Sequence, residues 1–112
     1  MTPLSITTLV AATGPVLQVV GELDYTTATR LRDTLATVTL RPGQRLVLDL
    51  AGMEFCDSSG ITALLAARAR AHAAQADIAL AGVPAHTLRI LHIVGLDQVF
   101  TLHPDIDAAT RP

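Results

Sequence analysis

The chain has 112 residues, half of them hydrophobic and 3% aromatic, with a formal net charge of −2. This length suits one ordinary domain with a continuous core, so we expect a single domain over residues 1–112. The charge balance argues against a nucleic acid or an anionic membrane surface as partner, because either would select a basic face.

The sequence carries no recognisable signal for export or membrane insertion. Its first residues lack the positive and apolar regions of a signal peptide. No stretch reaches the roughly 18 consecutive apolar residues of a membrane-spanning helix. Cys56 is the single cysteine, so an intrachain disulfide cannot form. We therefore expect a cytoplasmic protein that works away from membranes.

The first elements are predicted to be a β-hairpin and a helix. Leu4 to Ala11 is rich in β-branched residues, Thr13-Gly14-Pro15 is a turn signal, and Val16 to Val20 is the second strand. After this strand, Asp24 or Thr26 can cap a helix. Apolar residues three or four positions apart then form a stripe along that helix: Ala28, Leu31, Leu35 and Val38. Residues 41–43, Arg-Pro-Gly, end the helix.

The second half alternates between strands and helices. Residues 45–50 form an apolar strand, residues 51–57 a loop, and Ser58 opens a helix that runs to about Ala74. Three shorter elements follow: a strand at 78–80, a helix after Pro84 with an inner stripe of Leu88, Leu91 and Val94, and a strand at 99–102. Residues 105–110 form a last helical turn or a frayed tail. Such alternation predicts parallel strands joined by right-handed crossovers, with the hairpin as an antiparallel edge.

Residues 55–61, Phe-Cys-Asp-Ser-Ser-Gly-Ile, offer the most specific chemistry. They lie between the carboxyl end of a strand and the start of a helix, where α/β proteins usually meet their ligands. Asp57 or Ser58 can simply be an N-cap. The same helix terminus can also stabilise a phosphoserine through its free N–H groups and partial positive charge. Gly60 either lets a partner approach the Ser58 hydroxyl or merely relaxes a tight turn.

Four segments together resemble the STAS-domain family, which includes bacterial anti-sigma factor antagonists of sporulation and stress responses. They are Gly21-Glu22-Leu23-Asp24, Val47-Leu48-Asp49-Leu50, Phe55-Cys56-Asp57-Ser58-Ser59-Gly60 and Ile93-Val94-Gly95-Leu96. The resemblance covers nearly the whole chain, and Asp-Ser-Ser-Gly is its most specific part. It implies a single α/β STAS domain, with a mixed, mostly parallel sheet of about four or five strands, an N-terminal hairpin and three or four helices.

The resemblance also implies a regulatory protein and not an enzyme. In the family, an anti-sigma factor with serine kinase activity phosphorylates the first serine after the aspartate, which is Ser58 here. The unphosphorylated antagonist binds that anti-sigma factor and frees a sigma factor, the phosphorylated form is released, and a phosphoserine phosphatase restores it. Neither a cofactor nor a metal is implied. The partner-binding residues implied are Asp24, Thr26, Asp57, Ser59, Gly60, Ile61 and Leu64.

Other functions fit the sequence less well. A STAS domain can instead be an accessory module of a transporter or a signalling assembly, without any switch. A serine hydrolase would need Gly-x-Ser-x-Gly around its nucleophile, and that motif is absent here. Cys56 can be a redox sensor, although a buried thiol is the more ordinary state of such a residue. Metal binding is poorly supported, because the four histidines show no ligand spacing: His72, His86, His92 and His103.

Overall fold

The computed structural model describes residues 3–112, which form a mixed β-sheet with helices on both faces. The strands are β1 (Ser5–Ala11), β2 (Gly14–Leu23), β3 (Arg45–Asp49), β4 (Met53–Cys56), β5 (Asp77–Ala81) and β6 (Thr101–His103). The helices are α1 (Ala28–Thr37), α2 (Ser58–Ala73), α3 (Ala85–Ile93) and α4 (Ile106–Ala109), with a 3-10 turn over Leu96–Gln98.

The strands are arranged in the order β1-β2-β3-β5-β6, and β4 pairs with the end of β2. β1 and β2 form the predicted antiparallel hairpin, whereas every other pairing is parallel. Parallel strands bring their carboxyl ends to the same edge of the sheet, so Leu23 at the end of β2 lies beside Cys56 at the end of β4. This edge holds the candidate site.

Alternation along β3 explains how the sheet is covered. Leu46 and Leu48 point to the face packed by α1, α2 and α3, while Val47 points to the face covered by α4, and all three are fully buried. The apolar run predicted for a strand covered on both faces is therefore confirmed. The predicted stripe of α1 is confirmed as well, because its members are at most 7% exposed: Ala28, Leu31, Leu35 and Val38.

Three predicted elements differ from the structure. The loop predicted over 51–57 contains the short strand β4, which raises the number of strands to six. The inner stripe predicted for α3 is confirmed at Leu91, which is fully buried, and wrong at Leu88 and Val94, which are 39% and 56% exposed. Helix α3 instead packs through Thr87 and Leu91, four residues apart, so its buried face is narrow. The last strand covers 101–103 and not 99–102, because the N–H groups of Val99 and Phe100 donate back to the Leu96 carbonyl and so continue the turn that begins with the 3-10 helix.

Candidate functional site

Asp57 joins the two segments that meet at the carboxyl edge of the sheet. It is the N-cap of α2, and its Oδ1 accepts a hydrogen bond from the backbone N–H of Gly60 at 3.1 Å. Its Oδ2 accepts a second bond, at 3.2 Å, from the backbone N–H of Tyr25, in the connection between β2 and α1. One carboxylate therefore fixes both the start of α2 and the neighbouring turn.

Ser58 is the first residue of α2, and it is exposed to solvent. Its backbone carbonyl accepts a bond of 3.0 Å from the Thr62 hydroxyl, one helical turn further on. Within residues 3–112, no hydrogen-bond partner is found for the Ser58 hydroxyl itself. A second protein can therefore reach this oxygen without first breaking a contact inside the domain.

Asp24 organises the turn between β2 and α1. Its Oδ1 accepts hydrogen bonds from the backbone N–H groups of Thr26 and Thr27 at 3.0 and 3.1 Å, and from the Thr26 hydroxyl at 2.8 Å. These bonds, the Thr26 hydroxyl first among them, lower the pKa of Asp24 below its usual value. Of the two predicted caps, Asp24 is thus the side chain that binds free N–H groups, although α1 itself begins only at Ala28.

Gly60 is buried where α2 crosses the ends of β2 and β4. A Cβ at this position would lie 2.5 Å from the Cys56 Sγ and 2.6 Å from the Leu23 carbonyl oxygen. Neither distance is possible for a real side chain, so only glycine lets the helix start this close to the sheet. The idea that Gly60 provides open space for a partner is wrong, because its missing side chain faces the interior.

The predicted partner-binding residues divide into exposed and buried positions. Leu64 is fully buried in the core, so its side chain cannot touch another protein, and the prediction is wrong for this residue as it is for Gly60. Thr26 is exposed, and four others are partly accessible at the same edge: Asp24, Asp57, Ser59 and Ile61. The structure brings these accessible residues together around Ser58.

Two depressions flank the first turns of α2, and the sequence predicted neither. The smaller one, of about 200 Å³, lies between α1 and α2 and is lined by Tyr25, Ala28, Thr29, Arg32, Ser59 and Thr62. The larger one, of about 440 Å³, lies between α2 and α3 and is called the α2–α3 groove below. It is lined by Cys56, Asp57, Ser58, Ile61, Thr62, Ile90, Val94 and Leu96. The sequence did give one signal, since residues 93 and 94 continue the apolar character of α3 beyond what its narrow core face can bury.

Cys56 lies beneath the site and is only 1% exposed. Burial, followed by the negative charge of Asp57, raises the pKa of its thiol to about 12. The thiolate is the reactive form of cysteine, so this residue is an inert part of the core and not a redox sensor.

The part of the chain that the structure describes holds neither a membrane-spanning helix nor a cluster of metal ligands. From Pro3 to Pro112, none of the helices is both long enough and apolar enough to cross a lipid bilayer. The same range contains no group of three histidine, cysteine or acidic side chains arranged to hold a metal ion.

Comparison with known proteins places this geometry in a family. Residues 8–104 match the family model described as "Mlab, STAS domain". The chain is 33% identical over 96 residues to the anti-sigma-F factor antagonist RsfB of Mycobacterium tuberculosis, an alignment that covers 85% of this chain and 78% of RsfB. A STAS-domain containing protein of Pseudomonas aeruginosa is also 33% identical, over 88% of this chain and 99% of its own length.

Solved structures agree with the sequence matches. The crystal structure of an anti-sigma factor antagonist from Mycobacterium paratuberculosis superposes with a TM-score of 0.84 at 28% identity, covering 96% of this chain and 91% of that one. A sulfate transporter family protein from Wolinella succinogenes gives a TM-score of 0.77 at 19% identity over 91% and 85% of the two chains, which shows the shared fold alone. By its sequence and its fold, the chain belongs to the STAS-domain family, among the anti-sigma factor antagonists.

Proposed function

We propose that this protein is a partner switch controlled by phosphorylation of Ser58. In its unphosphorylated form it binds an anti-sigma factor that is also a serine kinase, and thereby frees a sigma factor in the cytoplasm. Phosphorylation releases the protein, and a phosphoserine phosphatase restores it. The single observation that supports this proposal best is the exposed Ser58 side chain at the start of α2, bordered by an apolar groove.

This chain has to supply only the Ser58 hydroxyl to the phosphoryl transfer. The Ser58 oxygen attacks the γ-phosphorus of a nucleoside triphosphate held by the partner, the nucleoside diphosphate leaves, and the hydroxyl proton passes to a base or water on the partner. The nucleotide and the catalytic groups all belong to the kinase. The free N–H groups at the start of α2 favour the added phosphate, although Asp57 holds one of them.

Release follows from the charge that the reaction adds. A phosphoserine carries about −1.5 to −2 charges at neutral pH. It would stand beside the carboxylate of Asp57, on the border of a groove whose walls are largely apolar. Covering that charge with a second protein removes it from water, which is costly unless new cations meet it. A surface that binds a neutral hydroxyl therefore rejects the phosphate.

The proposal is tested with the purified anti-sigma factors encoded in the same genome. Ser58→Ala should bind its anti-sigma factor like the unmodified protein and resist phosphorylation, whereas Ser58→Asp should bind at least about tenfold more weakly. Ser5→Asp, which makes the same change at an exposed position on β1, is the matched control and should leave affinity unchanged. Equal affinity of the two Ser58 variants would contradict the charge argument.

Mass spectrometry locates the modification directly. After incubation with the kinase and ATP, we expect one phosphate on the peptide that contains Ser58 and Ser59. Ser58→Ala should abolish it, and Ser59→Ala should not. Phosphate on Ser59 alone, or on neither serine with every anti-sigma factor tried, would count against the proposed switch.

A further inference from the structure

We infer that the α2–α3 groove receives a large aliphatic or aromatic side chain of the anti-sigma factor, and that a lysine or arginine flanks this side chain on the partner. The inference rests on the proposed function and names the chemistry of the partner at that site. It assigns a binding role to the last turn of α3, which the sequence-based prediction left out.

The apolar anchor of the partner is inferred from the side chains that line the groove. Ile61 on α2 lines the groove together with Ile90 on α3 and Val94, the residue that caps α3, and Leu96 completes the wall after the end of the helix. Val94 is 56% exposed and the adjacent Ile93 is 73% exposed. Exposed aliphatic side chains clustered next to a groove are typical of an interaction surface, because a partner that buries them removes apolar surface from water.

The extent of the apolar surface indicates a protein and not a small molecule as the occupant. A compound that filled the 440 Å³ groove would still leave Ile93 in water, since Ile93 lies outside the lining. A protein segment can fill the groove and also cover its border. The groove is moreover continuous with Ser58, which forms part of its lining, so a kinase that reaches the hydroxyl must come close to these walls.

The lysine or arginine of the partner is inferred from the charges beside the groove. Among the groove-lining residues, Asp57 is the one with a charged side chain, and no arginine lines the groove. Asp97 follows Leu96, and its Oδ2 lies 2.7 Å from the Nδ1 of the exposed His92, which ties the end of α3 to the 3-10 turn. Since His92 occupies the Asp97 carboxylate, Asp57 is the acidic group that remains for a partner, and a cation beside the partner's apolar anchor would complement it and gain in association rate and specificity.

Substitution at Val94 tests the inference, because this side chain is exposed enough to change without unfolding the domain. Val94→Arg should weaken binding to the cognate anti-sigma factor at least about tenfold, since it places a cation in an apolar contact that faces the partner's own cation. Val94→Glu should weaken binding less than Val94→Arg. Val10→Arg, the same change at a side chain that is 89% exposed on β1, should leave affinity within about twofold.

The possible outcomes separate the inference from the proposed function. If Val94→Arg binds like Val10→Arg while Ser58→Asp still fails to bind, the switch stands and the groove is not part of the interface. If Val94→Glu is the weaker binder of the two, the partner is not cationic there and the inference is overturned. If anti-sigma factor affinity is unchanged and only binding of the apolar dye ANS is lost, the groove is a small-molecule site. If the unmodified protein binds no anti-sigma factor of its genome, the proposed function fails and the inference fails with it.

Discussion

Replacement of Gly60 by alanine should destabilise the protein, against the usual preference of helices for alanine. The added methyl group would lie 2.6 Å from the Leu23 carbonyl oxygen and 2.5 Å from the Cys56 Sγ. The carbonyl belongs to the backbone of β2 and the thiol is buried, so neither can move aside without shifting α2 away from the sheet.

The magnitude follows from two opposing effects. Overpacking of a well-filled core costs about 1–3 kcal/mol. Alanine regains about 0.5–1 kcal/mol relative to glycine through lower entropy of the unfolded chain. With the middle of each range, about 2 kcal/mol of overpacking against about 0.75 kcal/mol regained, the net loss in free energy of unfolding should be about 1.25 kcal/mol. For a domain of this size that corresponds to a fall in Tm of about 5 °C.

Urea denaturation followed by circular dichroism measures this loss, and calorimetry measures the change in Tm. Ala69→Gly, at an exposed position of the same helix, is the matched control and reports the intrinsic difference between the two residues, about 0.5–1 kcal/mol. If Gly60→Ala proved as stable as the unmodified protein, the close approach of α2 to the sheet could not be what requires glycine.

Three further predictions concern side chains around the site. Asp57→Ala should lower the free energy of unfolding in urea by about 0.5–2 kcal/mol, because the Gly60 N–H loses its cap. Asp57→Asn keeps a capping oxygen and should lose much less; equal losses would show that Asp57 acts through its charge and not as a capping acceptor. Cys56 should resist thiol reagents in the folded protein at pH 8, since its pKa of about 12 keeps it protonated, and should react at once in guanidinium; rapid labelling of the native protein would contradict this. In an NMR titration, Asp24 should ionise at a lower pH than an ordinary aspartate, so any stability it adds is fully present above the usual aspartate pKa and disappears as the pH falls through its lowered pKa. Thr26→Val should raise that pKa, and an unchanged titration would exclude the hydroxyl as the main cause.

Local sequence patterns were sufficient to predict most of the fold. The stripe from Ala28 to Val38 repeats at helical spacing, and the run over 45–50 is long and apolar, so both elements were predictable. Strand β4 was not, because its four residues show no alternation and it exists through its pairing with the end of β2. For α3, the spacing of apolar residues predicted the helix correctly. It did not predict the buried face, because Thr87 is buried there while Leu88 and Val94 are exposed.

Only those parts of the site that are formed by residues adjacent in sequence could be predicted. Asp57 at an N-cap and Ser58 at a helix start follow from the local motif. The bond between Asp57 and the Tyr25 N–H joins residues 32 positions apart, and the α2–α3 groove depends on how two helices pack. Likewise, the burial of Leu64 depends on which side of α2 meets the sheet, and no local motif around Ser58 specifies that.

The hydrogen bonds that fix the turn between β2 and α1 bear on how quickly a partner can bind. Asp24 and Asp57 already hold the backbone of residues 25–27 in place in the free protein. A binding partner therefore does not have to order this segment, and association should proceed at an ordinary docking rate of about 10⁵–10⁷ M⁻¹ s⁻¹. Phosphorylation would then act chiefly on the residence time of the complex: the rate of dissociation would rise, while the rate of association would change little.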